Sequence, residues 1–500
     1  MANRKIDESE LSSDQKMALS LMLSGKNVFL CGSAGTGKSS LIHLFKEKYQ
    51  GNCVVVAPTG VAAINIEGQT IHSFFMLPPG LLVPDNLEMI PWPRKREVLR
   101  QVNCIIIDEI SMVRSDMFSA IDLRMRQCAR GSAKRMPFGG KQVIVCGDFF
   151  QLPPVVADDV EDDWLQANLG GEYAFQTPVW KEAQFKTALL KTPFRQKDDL
   201  QFLDMLDSIR HGDLASKKTI VDGEELDAVE ALNRLCTPDK IMPRVPIRLC
   251  TTNREAHAVN SAARAQIDSP PVSFQAQIRG KFNEADYPTE AELVLKKGCR
   301  VMVLKNAHKP KGGGFFYVNG DCGTVVDIKE DHEASRVRVL FDNGTDAWVS
   351  CAEWKNTKYT METDRFTGKK IIRQDEIGCF TQIPLRLAYA TTIHKSQGMS
   401  LDYVDVKLGN GCFAHGQLYT ALSRARSLAG LHLERKISVD DLILDDRIVD
   451  FYKSIDPASR LQSNPPKKQL EVPEEHYEKL KAMLEKLEKG EDNSVDVEVL

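Results

Sequence analysis

Residues Gly32-Ser-Ala-Gly-Thr-Gly-Lys-Ser39 have types and spacing suited to cradling a chain of phosphates. The glycines let the backbone wrap closely with its amide N–H groups turned inward. The helix that follows adds the partial positive charge of its first turn. In this reading Lys38 reaches the β- and γ-phosphates and the Ser39 hydroxyl holds Mg²⁺. We therefore assign Gly32, Ser33, Ala34, Gly35, Thr36, Gly37, Lys38, Ser39 and Ser40 to a nucleoside triphosphate. A second constellation is Ile105-Ile-Ile-Asp-Glu109, an apolar run ending in paired carboxylates. Beside a phosphate loop, Asp108 is placed to hold the Mg²⁺ through water and Glu109 to polarise the attacking water. Val143-Ile-Val-Cys-Gly-Asp-Phe-Phe-Gln151 is a similar run, and its Gln151 is a candidate γ-phosphate sensor. Arg195, Arg424 and Arg426 are candidates to cross a cleft and neutralise charge in phosphoryl transfer, a role worth on the order of 10³-fold in rate.

Such groups work only if strands and helices deliver them to one edge. Val28–Cys31 before the loop and Leu41–Phe45 after it supply a strand–loop–helix unit. Further apolar, β-branched runs at Cys53–Ala57, Asn65–Gln69, Cys104–Ile107 and Gln142–Cys146 are predicted strands, with a helix over Met117–Arg130. That alternation predicts a parallel α/β sheet. A second set begins at Ile247 and resumes at Leu385–Thr392 and Tyr403–Leu408. Residues 299–380 instead show short alternating runs with Asn343-Gly344 as a type I′ turn, predicting a small inserted β-barrel. Lys309–Gly314 reads as a mobile loop on it. Pro78, Pro79, Pro84, Pro91 and Pro93 predict a loop-rich insertion over 76–93 without regular structure.

Composition narrows the class. Five hundred residues exceed one compact core. No window of ~18 apolar residues suggests a membrane span, and the amino terminus lacks the apolar centre of a secretion signal. A cytoplasmic location follows as the expectation. Twelve scattered cysteines without a Cys-x-x-Cys pair argue for reduced, buried thiols rather than a zinc ribbon. The net charge of −4 does not point to nucleic acid globally. The segment 471–500 alone carries −6, so any basic groove is local.

Seven runs occur in order: Gly32–Ser39, Ala57–Ala63, Asp108–Met112, Gly147–Pro154, Phe194–Gln196, Thr392–Gly398 and Tyr419–Ala425. Together they resemble the motifs of superfamily 1B helicases, specifically the petite-integration-frequency (PIF) DNA helicases and their RecD-like relatives. The similarity spans roughly residues 11–435. Residues 116–138 correspond to the segment that separates the PIF group from RecD-type enzymes. The resemblance implies two RecA-like domains: residues 1–190 with a wedge insertion at about 70–95, then 191–298 with 381–455. It implies a Src-homology-type β-barrel at 299–380, with 456–500 left as linker, amphipathic helix and acidic tail. It also implies ATP and Mg²⁺ as cofactors, 5′-to-3′ translocation, an adenine-reading role for Gln15, and a place for Gly398 at the ATP site.

Tracking a single strand without reading its sequence calls for hydroxyls and amides against phosphates and flat groups against bases. Candidates are Pro58, Thr59, Gly60, His72 and Phe74 in the first half, and Thr251, Asn253, Thr392, His394 and Lys395 in the second. The expected partners are single-stranded, forked or tailed duplex DNA, and G-quadruplex DNA, handled by a monomer. Two alternatives stay open at this point: a RecD-like translocating subunit of a nuclease complex, and an ATP-gated single-strand clamp. The short amino terminus favours a bacterial or phage source.

Overall fold

The computed structural model describes residues 8–193, 199–236, 240–308, 315–329, 335–363, 370–409 and 411–456. Arg195, the Lys309–Gly314 loop and the acidic carboxy-terminal helix lie outside the described residues.

Six strands form the first sheet: β1 Val28–Gly32, β2 Cys53–Ala57, β3 Gln69–Thr70, β4 Cys104–Ile107, β5 Gln142–Gly147 and β6 Lys186–Leu190. Their spatial order is β3-β2-β4-β5-β1-β6 and every pairing is parallel. The continuous apolar runs make sense here, because β1, β4 and β5 are buried along their whole lengths. In this order β4, β5 and β1 are neighbours, so the segments leaving their carboxyl ends emerge side by side. Those segments are Asp108-Glu109, Asp148 and the phosphate loop.

The first half departs from expectation in two places. The strand expected at Asn65–Gln69 is only Gln69–Thr70, because Gly60–Asn65 forms a helix whose first turn is capped by the Thr59 hydroxyl. The proline-rich insertion is not free of regular structure. It contains a 3₁₀ turn, Pro84–Asn86, and Pro93 opens a helix, Pro93–Gln101, from its first position. Nor does it stand away from the body: Leu82, Leu87 and Ile90 are buried. The Leu82 N–H donates to Asp116 Oδ2 at 2.8 Å, and Arg124 donates to the carbonyls of Glu88 and Met76. Both holding residues lie on the helix Ser115–Cys128, close to the predicted Met117–Arg130.

A second parallel sheet has the order Ala390–Thr392, Ile247–Cys250, Val404–Val406, Leu431–Leu433. The helix Asp446–Ile455 returns to the first half, where Phe451 stacks on Phe175 with ring centroids 4.3 Å apart.

The intervening β-rich region is wider than 299–380. Its antiparallel sheet runs Asp346–Ser350, Arg336–Phe341, Cys322–Lys329, Arg300–Val303, Leu385–Leu387. Its core also takes in Phe274, Leu293 and Leu295 from before residue 299, and Ile383 from after 380. The predicted hairpin forms, yet its turn is not type I′. Gly344 alone has a positive φ, of 82°, and its N–H bonds the Phe341 carbonyl, as in a type I turn closed by a glycine bulge. A long hairpin, Ala352–Thr363 with Lys370–Gln382, reaches back to the first sheet. There the Tyr359 hydroxyl accepts the Val55 N–H at 3.1 Å, and the Tyr359 N–H donates to Gln69 Oε1 at 3.3 Å. The contact fills the place where β3 is too short to pair with β2.

Candidate functional site

The phosphate loop has the conformation its glycines allow, with φ of 82° at Gly35 and Gly37. Gly32 is packed so closely on the Leu190 carbonyl that a Cβ would collide with it. Lys38 Nζ donates to the carbonyls of Gly32 (2.8 Å) and Ser33 (3.0 Å), so the loop satisfies its own cation. Gln15 lies beneath it: its amide donates to the Thr36 carbonyl at 3.1 Å and its oxygen accepts the Ser12 N–H at 3.2 Å. Both ends of that amide are therefore committed to holding the loop and its neighbouring helix.

At the end of β4, Asp108 is buried and its carboxyl is pushed up by desolvation, with the Cys146 thiol and Lys38 opposing that shift. Glu109 occupies the left-handed region, φ 51° and ψ 49°. A non-glycine residue there stores about 1–3 kcal/mol of strain, which commonly marks a functional position. Burial and the charge of Asp108 push its carboxyl up to about 7, while Lys38, Arg424 and Gln397 pull the other way. A group poised there suits proton transfer near neutrality.

The second half supplies the remaining parts. Gln397 Nε2 donates to Glu109 Oε2 and to Gln151 Oε1, each at 3.2 Å. The left-handed Gly398 follows, and a Cβ at that position would lie 4.0 Å from Glu109 Oε1. Arg424 is 1% exposed and held by backbone carbonyls: Thr420 at 2.9 Å, Ser396 at 3.3 Å and Met399 at 3.4 Å. Desolvation lowers its pKa, and among the described residues no carboxylate pairs with it, although it feels Glu109. It is a cation held ready for an anion. Arg426 is different: it is engaged by Asp402 at 2.7 Å.

Three further residues tie the halves together and were not singled out by sequence. Asp148, after β5, forms a two-pronged pair with Arg210 at 2.9 and 3.1 Å, and both are buried. Burial alone would raise the Asp148 carboxyl, but Arg210's charge and hydrogen bonds hold it below its usual value. The Tyr419 hydroxyl lies 3.5 Å from Asp148 Oδ2 and accepts the Ala34 N–H of the phosphate loop at 3.1 Å. Asp148, Gln397 and Tyr419 sat inside motifs already quoted. Arg210 carried no sequence signal.

The DNA candidates do not behave alike. Thr59, Asn253 and Lys395 are exposed, while Pro58, Gly60, His72, Thr251 and His394 are half-buried. Thr392 is buried, its hydroxyl accepting the Lys395 N–H. Phe74 requires correction. It is fully buried, edge-on to Tyr359 at 5.3 Å with Lys95 Nζ 4.2 Å over its ring, so in this structure it has no face to offer a base. Gly60 has the Asp286 carboxylate packed against it, so a Cβ there would collide with that side chain.

Magnesium fits the donor set. Ser39 and Asp108 are hard oxygen donors, and among the described residues no group of three or more His, Cys, Asp or Glu could enclose a metal. Oxygen donors of this kind suit Mg²⁺, which takes few protein ligands and completes its shell with phosphates and water. The twelve cysteines are free thiols. Among the described residues no helix is long and apolar enough to cross a membrane.

With this geometry in hand, comparison with known proteins is direct. The profile of the PIF1-like helicase family matches residues 10–220. The ATP-dependent DNA helicase Pif1 of Bdellovibrio bacteriovorus is 35% identical over 469 residues, 90% of this chain and 93% of its own. The structure of a Bacteroides Pif1 with ADP-AlF4 superposes with a TM-score of 0.78 at 32% identity, covering 90% of this chain and 98% of the other. Bacteroides Pif1 bound to single-stranded DNA is 34% identical over 89% of this chain and 96% of its own, yet scores 0.61. At equal relatedness, the present conformation is nearer to the first.

Proposed function

This chain belongs to the PIF1-like helicase family and is an ATP-dependent DNA helicase with a RecA-like α/β fold, and from that premise we propose how its residues divide the work. ATP would bind across the phosphate loop, between groups of the first sheet and groups delivered by the second. Lys38 and the loop amides neutralise the phosphates, and Ser39 and Asp108 hold Mg²⁺. Glu109 takes the proton of the attacking water, Gln151 and Gln397 orient it, and Arg424 stabilises the charge that develops on transfer. Arg195 is assigned a like role by motif position. The observation that carries this reading is the Gln397 amide joining Glu109 to Gln151 across the two halves.

The DNA grip we assign to the loop edges of the two sheets, at Thr59, His72, Asn253, His394 and Lys395. A relative bound to single-stranded DNA supports that ligand class. Gln15 we place beside the adenine, once nucleotide binding frees its amide. The β-rich unit we assign as a Src-homology-type barrel, and residues 70–95 as the wedge. Translocation runs 5′ to 3′, on tailed or forked duplexes. Strand displacement with ATP tests this: a duplex carrying a 5′ tail should be opened and its 3′-tailed counterpart left intact. Unwinding of the 3′-tailed duplex alone would overturn the polarity. Unwinding by Lys38→Ala would overturn the ATP site.

A further inference from the structure

Tyr419 stands at the join between the phosphate loop and the second half. It is 3% exposed, on the short helix Gln417–Leu422. Its hydroxyl accepts the Ala34 N–H at 3.1 Å, which leaves its own hydrogen directed at Asp148 Oδ2, 3.5 Å away. Burial pushes the phenol pKa up, so it stays a neutral donor and acceptor. Asp148 is held in turn by Arg210 and by the Tyr452 hydroxyl at 3.3 Å.

A phosphate loop binds by offering its backbone amides to oxygen acceptors. Here one of those amides already has one, and it comes from the other half of the molecule. Lys38 is likewise held by the loop's own carbonyls. The loop is therefore kept in shape by internal stand-ins for the ligand. Arg424 is anchored to the turn that follows Tyr419: its Nε donates to the Thr420 carbonyl and its backbone N–H to that of Ala421.

We propose that the Tyr419 hydroxyl is a placeholder for a phosphate oxygen, bonding Ala34 until nucleotide takes that amide and thereby releasing the turn that positions Arg424. Tyr419 is on this account a positioning residue. It makes nucleotide entry felt directly in the second half, through one hydrogen bond exchanged for another. The inference rests on the ATP-site reading above.

Equilibrium binding of a fluorescent ADP to the full chain without DNA tests it. Tyr419→Phe keeps the ring and removes the competing acceptor, so ADP should bind about fivefold tighter, the effect of one ordinary hydrogen bond. Amide exchange in residues 32–39 should be faster than in the wild-type chain before ADP is added, and equal to it afterwards. Unchanged or weaker ADP binding by Tyr419→Phe overturns the placeholder. Wild-type ADP affinity in Lys38→Ala would instead overturn the ATP-site reading itself. A second route avoids any loss of the hydroxyl: 3-fluorotyrosine at position 419 should show a ¹⁹F shift on adding ADP, and no shift overturns the proposal.

Discussion

On the proposed mechanism the chemistry is concentrated in Glu109, a strained, buried carboxylate. Glu109→Gln removes the proposed base while keeping the shape, so DNA-stimulated ATPase should fall by about 10²-fold or more with nucleotide and DNA binding retained. Its pH behaviour has a definite sign. The folded carboxyl lies near 7, above its value of 4.5 in the open chain, so between these pH values the folded state binds more protons than the unfolded. Stability contributed by this site is present at low pH and is lost as pH rises through about 7. Thermal melts should accordingly show Glu109→Gln gaining on the wild-type chain toward pH 8, with the gap closing near pH 5. ATPase in the wild-type chain should rise over the same upper range, as the base ionises. A flat melting difference would show that the carboxyl titrates elsewhere.

Among the elements, the proline-rich segment is the most altered by its tertiary setting. Its prolines stiffen it, but Asp116 and Arg124 hold it down. Asp116→Ala removes the acceptor of the Leu82 N–H and one carboxylate partner of Arg114, which keeps Glu161 at 2.6 Å. The cost should be roughly 2–4 kcal/mol in chemical denaturation. If the segment splits the duplex, unwinding should fall further than ATPase; equal loss of both would place it in the strand grip. The helix that follows carries Lys95, 7% exposed, beside Lys358 and with no hydrogen-bond acceptor among the described residues. Burial, with Lys358 adding to it, pushes its pKa down to about 7. Below that pH the penalty of burying the charge is fully present, and it is relieved as pH rises toward 10.5, the value for an open chain. Lys95→Met should therefore stabilise the protein by about 2–4 kcal/mol at pH 7 and flatten the rise of stability above it. Denaturation midpoints at pH 7 and pH 10 measure both effects.

For the molecule as a whole, the buried pair Arg210–Asp148 is one of the contacts that join the two halves. It connects the segment leaving β5 with the helix Leu200–His211, and Arg210 also lies over the Phe150 ring at 4.6 Å. Removing one partner of such a pair leaves a buried charge unmatched, which typically costs 3–5 kcal/mol. Arg210→Met should lower stability by about that amount, and the double variant with Asp148→Asn should recover part of it. Additive losses would mean that the two residues act separately. The same pair holds the groups around Tyr419, so Arg210→Met should also weaken the link between ATPase and DNA binding.

What the sequence determined by itself was the chemistry and the class of fold. The octet at 32–39, the carboxylates at 108 and 109 and the apolar runs ahead of them are local patterns, and local patterns survive without tertiary information. The parallel sheets and the antiparallel insert were legible for the same reason, since a strand buried on both faces and a strand exposed on one have different periodicities. Tertiary structure alone decided which residues meet. Gln397 reaches Glu109 across 288 residues and Tyr419 reaches Ala34 across 385, separations that no spacing rule covers. It also decided burial: Phe74 reads as a stacking ring in sequence, but a hairpin arriving from residues 352–382 closes over it. Arg210 shows the limit most clearly, because only the carboxylate opposite it, brought from another sheet, distinguishes a structural arginine from a surface one.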